Sequence, residues 1–173
     1  IFLCNTNNSG AVEKESINML IGKDVDGIIF IGTGNSQILQ NSDISVPIVL
    51  VDRKIGNTYT SIVSDNYRGG YMATKHLIEC GYSAIALLGA DLTTPNFFER
   101  IHGYMDALND NGIPYSEDRV IVGDCSISGG YEAALELLRR ESGADAAFAA
   151  NDMIALGAMR GFYDRGLRVP TDI

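Results

Sequence analysis

The amino-acid sequence predicts an α/β fold built on parallel β-sheets. Short, continuous apolar runs such as residues 26–32 ("DGIIFIG") and 83–89 ("SAIALLG") recur along the chain. Runs of this length are typical of strands that are buried on both faces. Segments with apolar residues at helical spacing lie between them. This alternation of strand and helix favours parallel sheets whose strands are joined by crossover helices.

Four strands and one helix are predicted in the N-terminal part of the chain. Residues 1–5 have the pattern of the end of a strand, and residues 12–21 have that of a helix. Two apolar strands are then expected at 26–32 and 46–52, followed by a short strand at 60–66 that ends in polar residues.

The remaining chain alternates more regularly. Asp65 is placed to cap a helix that ends at Gly81, because an aspartate accepts hydrogen bonds from first-turn amides and glycine tolerates the left-handed end of a helix. Further strands are expected at 83–89, 119–122 and 144–150, and further helices around 97–108, around 130–138 and at 152–165.

Polar residues collect where the predicted strands end. They are Asn5, Asn7, Asp52, Arg53, Asp65, Asn66, Asp124, Asn151 and Asp152. Ligands of open parallel sheets bind at the carboxyl ends of the strands, so this distribution indicates a binding site. Helix capping explains some of these residues, but Asp52 and Arg53 precede no clear helix.

The composition and charge are those of a globular protein without a nucleic-acid surface. Of the 173 residues, 46% are hydrophobic and 20% are charged. The formal net charge of −9 divides into −2 over residues 1–64 (4 bases, 6 acids) and −7 over residues 65–173 (9 bases, 16 acids). A DNA-binding surface needs clustered lysine and arginine, so we expect no DNA binding by this segment.

Cysteine usage and hydropathy predict a cytoplasmic protein that makes no membrane contact. Cys4, Cys80 and Cys125 are an odd number without the spacing of metal ligands, which indicates reduced thiols. No apolar run approaches the roughly 18 residues that a membrane span requires.

The motifs of common enzyme classes are missing from the sequence. It contains no G-x-x-x-x-G-K-[ST] phosphate loop and no G-x-S-x-G elbow, and "GTGNSQ" at 32–37 lacks the third glycine of a dinucleotide site. His76 and His102 stand alone on helical segments. We therefore expect no catalytic residues, no cofactor and no metal, and a protein that is not an enzyme.

Six segments together carry a family resemblance over nearly the whole chain. They are "VDR" (51–53), "VSDNYRGGYMATKHLIECGYSAIALLG" (63–89), "FFERIHGYMDAL" (97–108), "GGYEAALELL" (129–138), "AANDMIALGAM" (149–159) and "GLRVPTDI" (166–173). In order and spacing, the chain resembles the effector domain of the lactose/galactose-repressor family of bacterial transcription regulators.

The resemblance implies two Rossmann-like subdomains with parallel sheets, of the periplasmic binding protein type I, which close on a small ligand between them. Residues 1–64 would be part of the N-terminal subdomain and residues 65–173 part of the C-terminal one, with the module incomplete at both ends. The implied partners are a small-molecule effector, expected to be a sugar, and a second copy in a homodimer. DNA would bind only through a helix-turn-helix headpiece that is not in this chain.

The same resemblance carries three polar site residues over to this sequence. Asp65 matches an acid that accepts hydrogen bonds from ligand hydroxyls, and Arg100 matches an arginine whose planar fork of donors suits hydroxyls or carboxylates. Asn151 matches an asparagine whose amide both donates and accepts. At this seam we expect Asn151 to contact the ligand and Asp152 to cap the last helix.

The sequence departs from the family at the position that follows Gly123 and Asp124. Many relatives place an aromatic residue there, which stacks on the ligand, whereas this chain has Cys125. Stacking would then fall to Phe97 or Phe98, for which packing in a helix core is the alternative. The substitution predicts a ligand that is smaller or less planar than a purine.

The sequence leaves two alternative functions open, and it does not fix which residues form the dimer interface. A periplasmic sugar-binding protein of a transporter would have the same fold, although three unpaired cysteines are unusual in the periplasm. An enzyme of flavodoxin-like fold is the other alternative, and the sequence lacks the set of catalytic residues that such an enzyme needs. For the homodimer, Leu156 and Met159 are the candidate interface residues, and packing of both on the sheet is the alternative.

Overall fold

The chain forms two units, Ile1–Ser64 and Asp65–Ile173, in the computed structural model. The structure describes residues 1–7, 9–32, 39, 44–90 and 94–173. Within this part of the chain, each unit contains one three-stranded sheet, and all strand pairs are parallel. The predicted α/β class with two parallel sheets is therefore confirmed.

In the described part of unit 1, a helix packs against one face of the sheet. The elements of unit 1 are α1 (Gly10–Ile21), β1 (Ile28–Ile31), β2 (Ile48–Val51) and β3 (Thr60–Ile62), and the strand order is β1-β2-β3. The side chain of Ser9 caps α1 by accepting a hydrogen bond from the amide of Val12. Ile17 from α1 packs on Ile28, Ile48 and Leu50 of the sheet to form the core of this unit.

Two predictions for unit 1 are wrong. Residues 1–5 form no strand, because a strand requires the ladder hydrogen bonds of a neighbour and this segment makes none with β1 among the described residues. The prediction that β1 is buried on both faces is also wrong, because Ile29 and Ile31 are 71% and 73% exposed. The apolar run does form the strand, but the described residues cover only one of its faces.

In the described part of unit 2, α-helices and strands alternate along the chain. The elements of unit 2 are α2 (Asn66–Glu79), β4 (Ile85–Ala90), α3 (Pro95–Asp110), a 3-10 turn (Glu117–Arg119), β5 (Val120–Val122), α4 (Ile127–Arg139), β6 (Ala146–Ala149) and α5 (Asp152–Asp164). The strand order is β5-β4-β6, so the central strand β4 has a neighbour on each side. Asp65 caps α2 as predicted, with its Oδ1 accepting from the amide of Arg68 at 2.9 Å.

The central strand β4 is buried on both faces, as its sequence predicts. Ile85 and Leu87 face a cluster that includes Ile101 and Tyr104 of α3. Alternate residues Ala86 and Leu88 face a second cluster, which contains residues of α4 and α5. A continuous apolar run is needed here because helices cover both faces of the sheet.

Helices α2 and α3 approach each other closely because glycines stand at their crossing. A Cβ atom at Gly70 would overlap the backbone carbonyl of Arg100, and one at Gly103 would overlap the backbone of Tyr67. Two hydrogen bonds between the helices add to this contact: the hydroxyl of Tyr67 donates to Asp106 at 2.8 Å, and that of Tyr71 donates to Asp110 at 3.0 Å. The register of α3 on α2 is thereby fixed.

Gly70→Ala is expected to lower the free energy of unfolding by about 1–3 kcal/mol, because the added methyl group must push two helix backbones apart. Thermal or denaturant unfolding measures the change. Gly69→Ala is the matched control, since a Cβ there meets nothing within 4 Å. The control gains helix propensity and should be neutral or slightly stabilising. Equal effects of the two substitutions would contradict the close approach.

Candidate functional site

The three strands of unit 2 run parallel, so their carboxyl ends lie along one edge of the sheet. Helices α3, α4 and α5 follow β4, β5 and β6 along the chain, so each of them begins from this edge. Their first turns place side chains and unsatisfied amides where ligands of such sheets bind. We call this edge, with the side chains of Asp65, Asn66, Arg100, Asp124, Cys125 and Asn151, the carboxyl edge of unit 2.

Arg100 connects three elements at the carboxyl edge. Its Nε donates to Oδ1 of Asn66, the first residue of α2, at 2.8 Å. Its Nη1 donates to the backbone carbonyl of Ala150, directly after β6. Its guanidinium carbon lies 5.6 Å from the ring centroid of Phe97, one turn earlier on α3. No carboxylate of the described residues lies within ion-pair distance of Arg100.

Asn66 was not among the predicted site residues, although the sequence marks it as polar at a strand end. Its side chain is buried, with only 3% of the residue exposed. The residue follows the cap of α2 directly, and a local pattern predicts an ordinary first-turn position there. Its contact with Arg100 joins residues 34 positions apart, and that contact appears only in the folded chain.

Asn151 rather than Asp152 caps α5, which corrects the prediction for this seam. Oδ1 of Asn151 accepts from the amide of Ile154 at 2.8 Å, and the backbone of Asn151 is extended as caps require. Asp152 is the first helical residue and is exposed. The amide nitrogen of Asn151 is not used by the cap, so a ligand role for this residue stays a prediction.

Asp124 and Cys125 lie in the loop that follows β5. The hydroxyl of Ser126 donates to Asp124 at 2.9 Å and accepts from the amide of Gly129 at 3.0 Å, which caps α4. Cys125 is half-buried and packs against the α4–α5 side of the core.

The two candidate aromatic residues differ in exposure. Phe97 is 8% exposed and belongs to the core of unit 2. Phe98 is exposed, and its ring centroid lies 4.3 Å from that of His102. A stacking role for Phe97 stays a prediction, but its ring is occupied by core packing on most of its surface.

Unit 1 places a second arginine after the carboxyl end of a strand. Arg53 is 5% exposed, and its Nε donates to the carbonyl of Gly32 at 3.0 Å. Its Nη2 lies 3.8 Å from Oε1 of Glu13, and its guanidinium carbon lies 4.6 Å from the ring centroid of Phe30. Desolvation lowers the pKa of Arg53, and the charge of Glu13 partly opposes this effect.

In the pair Asp52–Arg53, which helix capping did not explain, Arg53 is therefore buried and Asp52 is half-buried. Nη1 of Arg53 is buried without a hydrogen-bond partner in the described part of the chain. Asp52 has a left-handed backbone with φ of 57°, and its amide donates to the carbonyl of Ile62 at 2.8 Å. Such a backbone is uncommon outside glycine and turns the chain sharply after β2.

Metal clusters and helices of membrane-spanning character are absent from the described ranges. Within them, no group of three or more His, Cys, Asp or Glu side chains is arranged to hold a metal ion. None of the three cysteines forms a disulfide. None of the described helices combines the length and the apolar character that a membrane span requires.

Parallel sheets with hydrogen-bonding side chains at their carboxyl edges define an α/β ligand-binding domain. The profile of the periplasmic binding proteins and sugar-binding domains of the LacI family matches residues 1–173. The chain belongs to this family.

Transcription regulators are among the proteins to which the chain is similar. It is 37% identical to the HTH-type transcriptional repressor PurR of Pasteurella multocida over 177 residues, which cover 100% of this chain and 53% of that protein. Among solved structures, the transcription regulator CcpA of Lactococcus lactis is similar with a TM-score of 0.88 and 31% identity, over 99% of this chain and 64% of that one. The chain thus spans about half the length of the curated relatives that it matches.

Two further similar structures contain sugars. A complex of the transcriptional regulator CelR with cellobiose has a TM-score of 0.83 and 34% identity, over 95% of this chain and 52% of that one. A LacI-family regulator from Enterococcus faecium with bound ribose has a TM-score of 0.81 and 30% identity, over 99% of this chain and 62% of that one.

Asn151→Ala is expected to lower the free energy of unfolding by about 1 kcal/mol, because the first turn of α5 loses its capping acceptor. Asp152→Ala removes only a charge near the helix N-terminus and should cost less, about 0.3–1 kcal/mol. Chemical denaturation of both variants, with Asn151→Asp as the variant that keeps the acceptor, ranks them. A larger loss for Asp152→Ala would show that Asp152 is the effective cap.

Proposed function

We propose that this chain is the effector-binding part of a bacterial transcription regulator and that it binds a sugar at the carboxyl edge of unit 2. Binding controls DNA recognition by a helix-turn-helix headpiece outside this chain. The observation that supports the proposal most strongly is the state of Arg100. Its guanidinium is part-buried and held by two neutral acceptors, and no carboxylate of the described residues balances its charge.

The donors and acceptors at the carboxyl edge match a polyhydroxylated ligand. Each sugar hydroxyl donates one hydrogen bond and accepts others, so a sugar site needs both kinds of group. Arg100 supplies donors only, the exposed carboxylate of Asp65 supplies acceptors, and the amide nitrogen of Asn151 supplies further donors. We propose these three side chains as the polar contacts of the effector.

A cysteine at the position of a stacking aromatic residue favours a sugar over a planar heterocycle. The ring of Phe97 is packed in the core, and Cys125 occupies the position where many relatives place a stacking aromatic. Two of the similar regulators are described with cellobiose and with ribose. We extend that ligand class to this chain, and we propose no catalytic role for any of its residues.

A periplasmic binding protein is the competing candidate, because the family includes such proteins. Two observations favour the regulator. The curated relatives are transcriptional repressors, and the three cysteines of this chain form no disulfide, which suits the reducing cytoplasm. We therefore propose a cytoplasmic location, where the headpiece outside this chain would meet DNA.

We also propose a homodimer that uses the exposed face of α5. Leu156 and Met159 are 56% and 50% exposed, so neither packs on the sheet, and that alternative is wrong. Met153 and Tyr163 of the same helix and Ile127 of α4 are exposed as well. Exposed apolar side chains on adjoining helices are typical of an interface between two copies.

Arg100→Ala in the intact protein is expected to weaken sugar binding about ten-fold to a hundred-fold, because a desolvated charged contact is worth ~1–3 kcal/mol. The sugar is first identified by thermal shift with D-ribose, cellobiose and other mono- and disaccharides, since a ligand that binds only the native state raises Tm. Titration calorimetry then compares the wild type with the variant.

The matched control for this experiment is Arg119→Ala. Arg119 also donates to a backbone carbonyl, that of Ser142 at 3.3 Å, but it precedes β5 and lies at the opposite edge of the sheet. Because Arg100 joins α2, α3 and β6, its removal should also lower Tm. Removal of an arginine that contacted only the ligand would leave Tm of the ligand-free protein unchanged. Sugar affinity within two-fold of wild type in Arg100→Ala would refute the contact, and a protein that binds no sugar would refute the ligand class.

Leu156→Glu is expected to convert the dimer into monomers, because a carboxylate in an apolar interface is desolvated without a partner. Sedimentation of the intact protein at micromolar concentration measures the association state. Met72→Glu, at an exposed methionine of α2, is the control and should remain dimeric. A wild type that sediments as a monomer, or a Leu156→Glu variant that still dimerises, would exclude this face.

A further inference from the structure

Asn66 differs from the other buried polar side chains of the described residues in what it contacts. Glu13 and Arg53 lie opposite each other in unit 1, and the hydroxyl of Thr74 donates to the carbonyl of Gly70 within its own helix. The side-chain oxygen of Asn66 instead accepts from the guanidinium of Arg100, on another helix. A buried amide is thus directed to the side chain that we propose as the main effector contact.

The two hydrogen bonds of Arg100 fix the plane of its guanidinium. The group is planar and carries five N–H donors in a rigid fork. Asn66 engages Nε from the start of α2, and the carbonyl of Ala150 engages Nη1 from the end of β6. With two points of a rigid plane held by two different elements, the directions of the other three N–H bonds are set.

The anchors leave the charge of Arg100 available to a ligand. Asn66 and the Ala150 carbonyl are both neutral acceptors. A carboxylate in the place of Asn66 would form an ion pair with Arg100 and compete with a ligand oxygen for the same cation. Arg53 shows the contrasting arrangement, because Glu13 lies 3.8 Å from its Nη2.

The backbone packing of α2 on α3 places Asn66 next to Arg100, independently of the hydrogen bond between them. Gly70 lies one turn after Asn66 and contacts the backbone of Arg100 so closely that no side chain fits between them. The hydroxyl contacts of Tyr67 with Asp106 and of Tyr71 with Asp110 hold the same register. Asn66 is therefore kept opposite Arg100 by the helix pair itself.

We propose that Asn66 is a positioning residue that orients the Arg100 guanidinium toward the effector without contacting the effector itself. The inference rests on the proposed function only in the role it gives to Arg100. It adds a determinant of specificity: a neutral anchor leaves the positive charge of Arg100 uncompensated and aims its remaining N–H groups at ligand oxygens, whereas loss of the anchor lets the guanidinium rotate.

The first test needs no ligand. In the intact protein labelled with ¹⁵N-arginine, NMR follows exchange of the Nε–H proton of Arg100 with water, and loss of the signal in Arg100→Lys assigns it. We expect Asn66→Ala to accelerate this exchange at least ten-fold. Asn66→Asp keeps an acceptor, so the Nε–H proton of Arg100 should still exchange slowly in this variant. If the alanine variant does not fold, the aspartate variant is the one that tests the anchor. Unchanged exchange in Asn66→Ala, or lost protection in Asn66→Asp, would overturn the proposal.

The control for the exchange experiment is Asn111→Ala. Asn111 also uses its side chain at a helix end, where Nδ2 donates to the carbonyl of Ala107 at 2.8 Å, but it stands at the far end of α3 from Arg100. Exchange at Arg100 should be unaffected by this change. Acceleration in both variants would mean a general loosening of the fold and would count against a specific anchor.

The second test is a double-mutant cycle on sugar affinity, with D-ribose and cellobiose as the first probes. Asn66→Ala should weaken binding about ten-fold in the wild-type background and less than two-fold in the Arg100→Ala background, because a residue that acts through Arg100 has no effect without it. Equal losses in both backgrounds would show direct contact or a structural role and overturn the positioning role. If the wild type binds no sugar, the proposed function fails, while the exchange experiment still decides whether Asn66 anchors Arg100.

Discussion

The close approach of α2 and α3 is the constraint on which the candidate site depends. Gly70 lies against the backbone of Arg100, and the missing side chain lets the helices meet at a separation that any larger residue would prevent. At that separation Asn66 reaches Nε of Arg100, and Arg100 in turn reaches the carbonyl of Ala150. One packing contact thus connects the start of α2, the second turn of α3 and the end of β6, and it defines where the guanidinium lies.

The two units hold an arginine beyond a strand end in related but different ways. Arg53 and Arg100 each use Nε for an acceptor at the edge of their own sheet, and each has a phenylalanine ring within 6 Å of the guanidinium carbon. Arg53 is more deeply buried and has Glu13 as a counter-charge, so it is compensated within unit 1. Arg100 is less buried, and its two anchors among the described residues are neutral. Because its positive charge has no counter-charge among the described residues, Arg100 is the stronger candidate for an interaction with an external ligand.

Local patterns predicted the elements well where one segment carries the whole signal. The apolar run of residues 83–89 predicted β4, and the aspartate before Asn66 predicted the cap of α2. The predictions failed where the outcome depends on a neighbour. Residues 1–5 are apolar enough for a strand but find no ladder partner among the described residues, and one face of β1 is exposed because no described element covers it. Before α5, Asn151 and Asp152 are both residue types that cap helices well. Asn151 is the cap because its backbone is extended, whereas Asp152 is already helical.

The sequence by itself determined the α/β class, the order of the elements, the family and the positions of Asp65, Arg100 and Asn151 at strand and helix ends, because periodicity, turn chemistry and motifs are properties of short segments. Only the tertiary structure decided that Asn66 anchors Arg100, that Phe97 packs in the core and that Leu156 faces outward. Each of these depends on residues far apart in the chain or on which face of an element is covered. A hydrogen bond across 34 residues has no local signature, because its geometry exists only once the helices have packed.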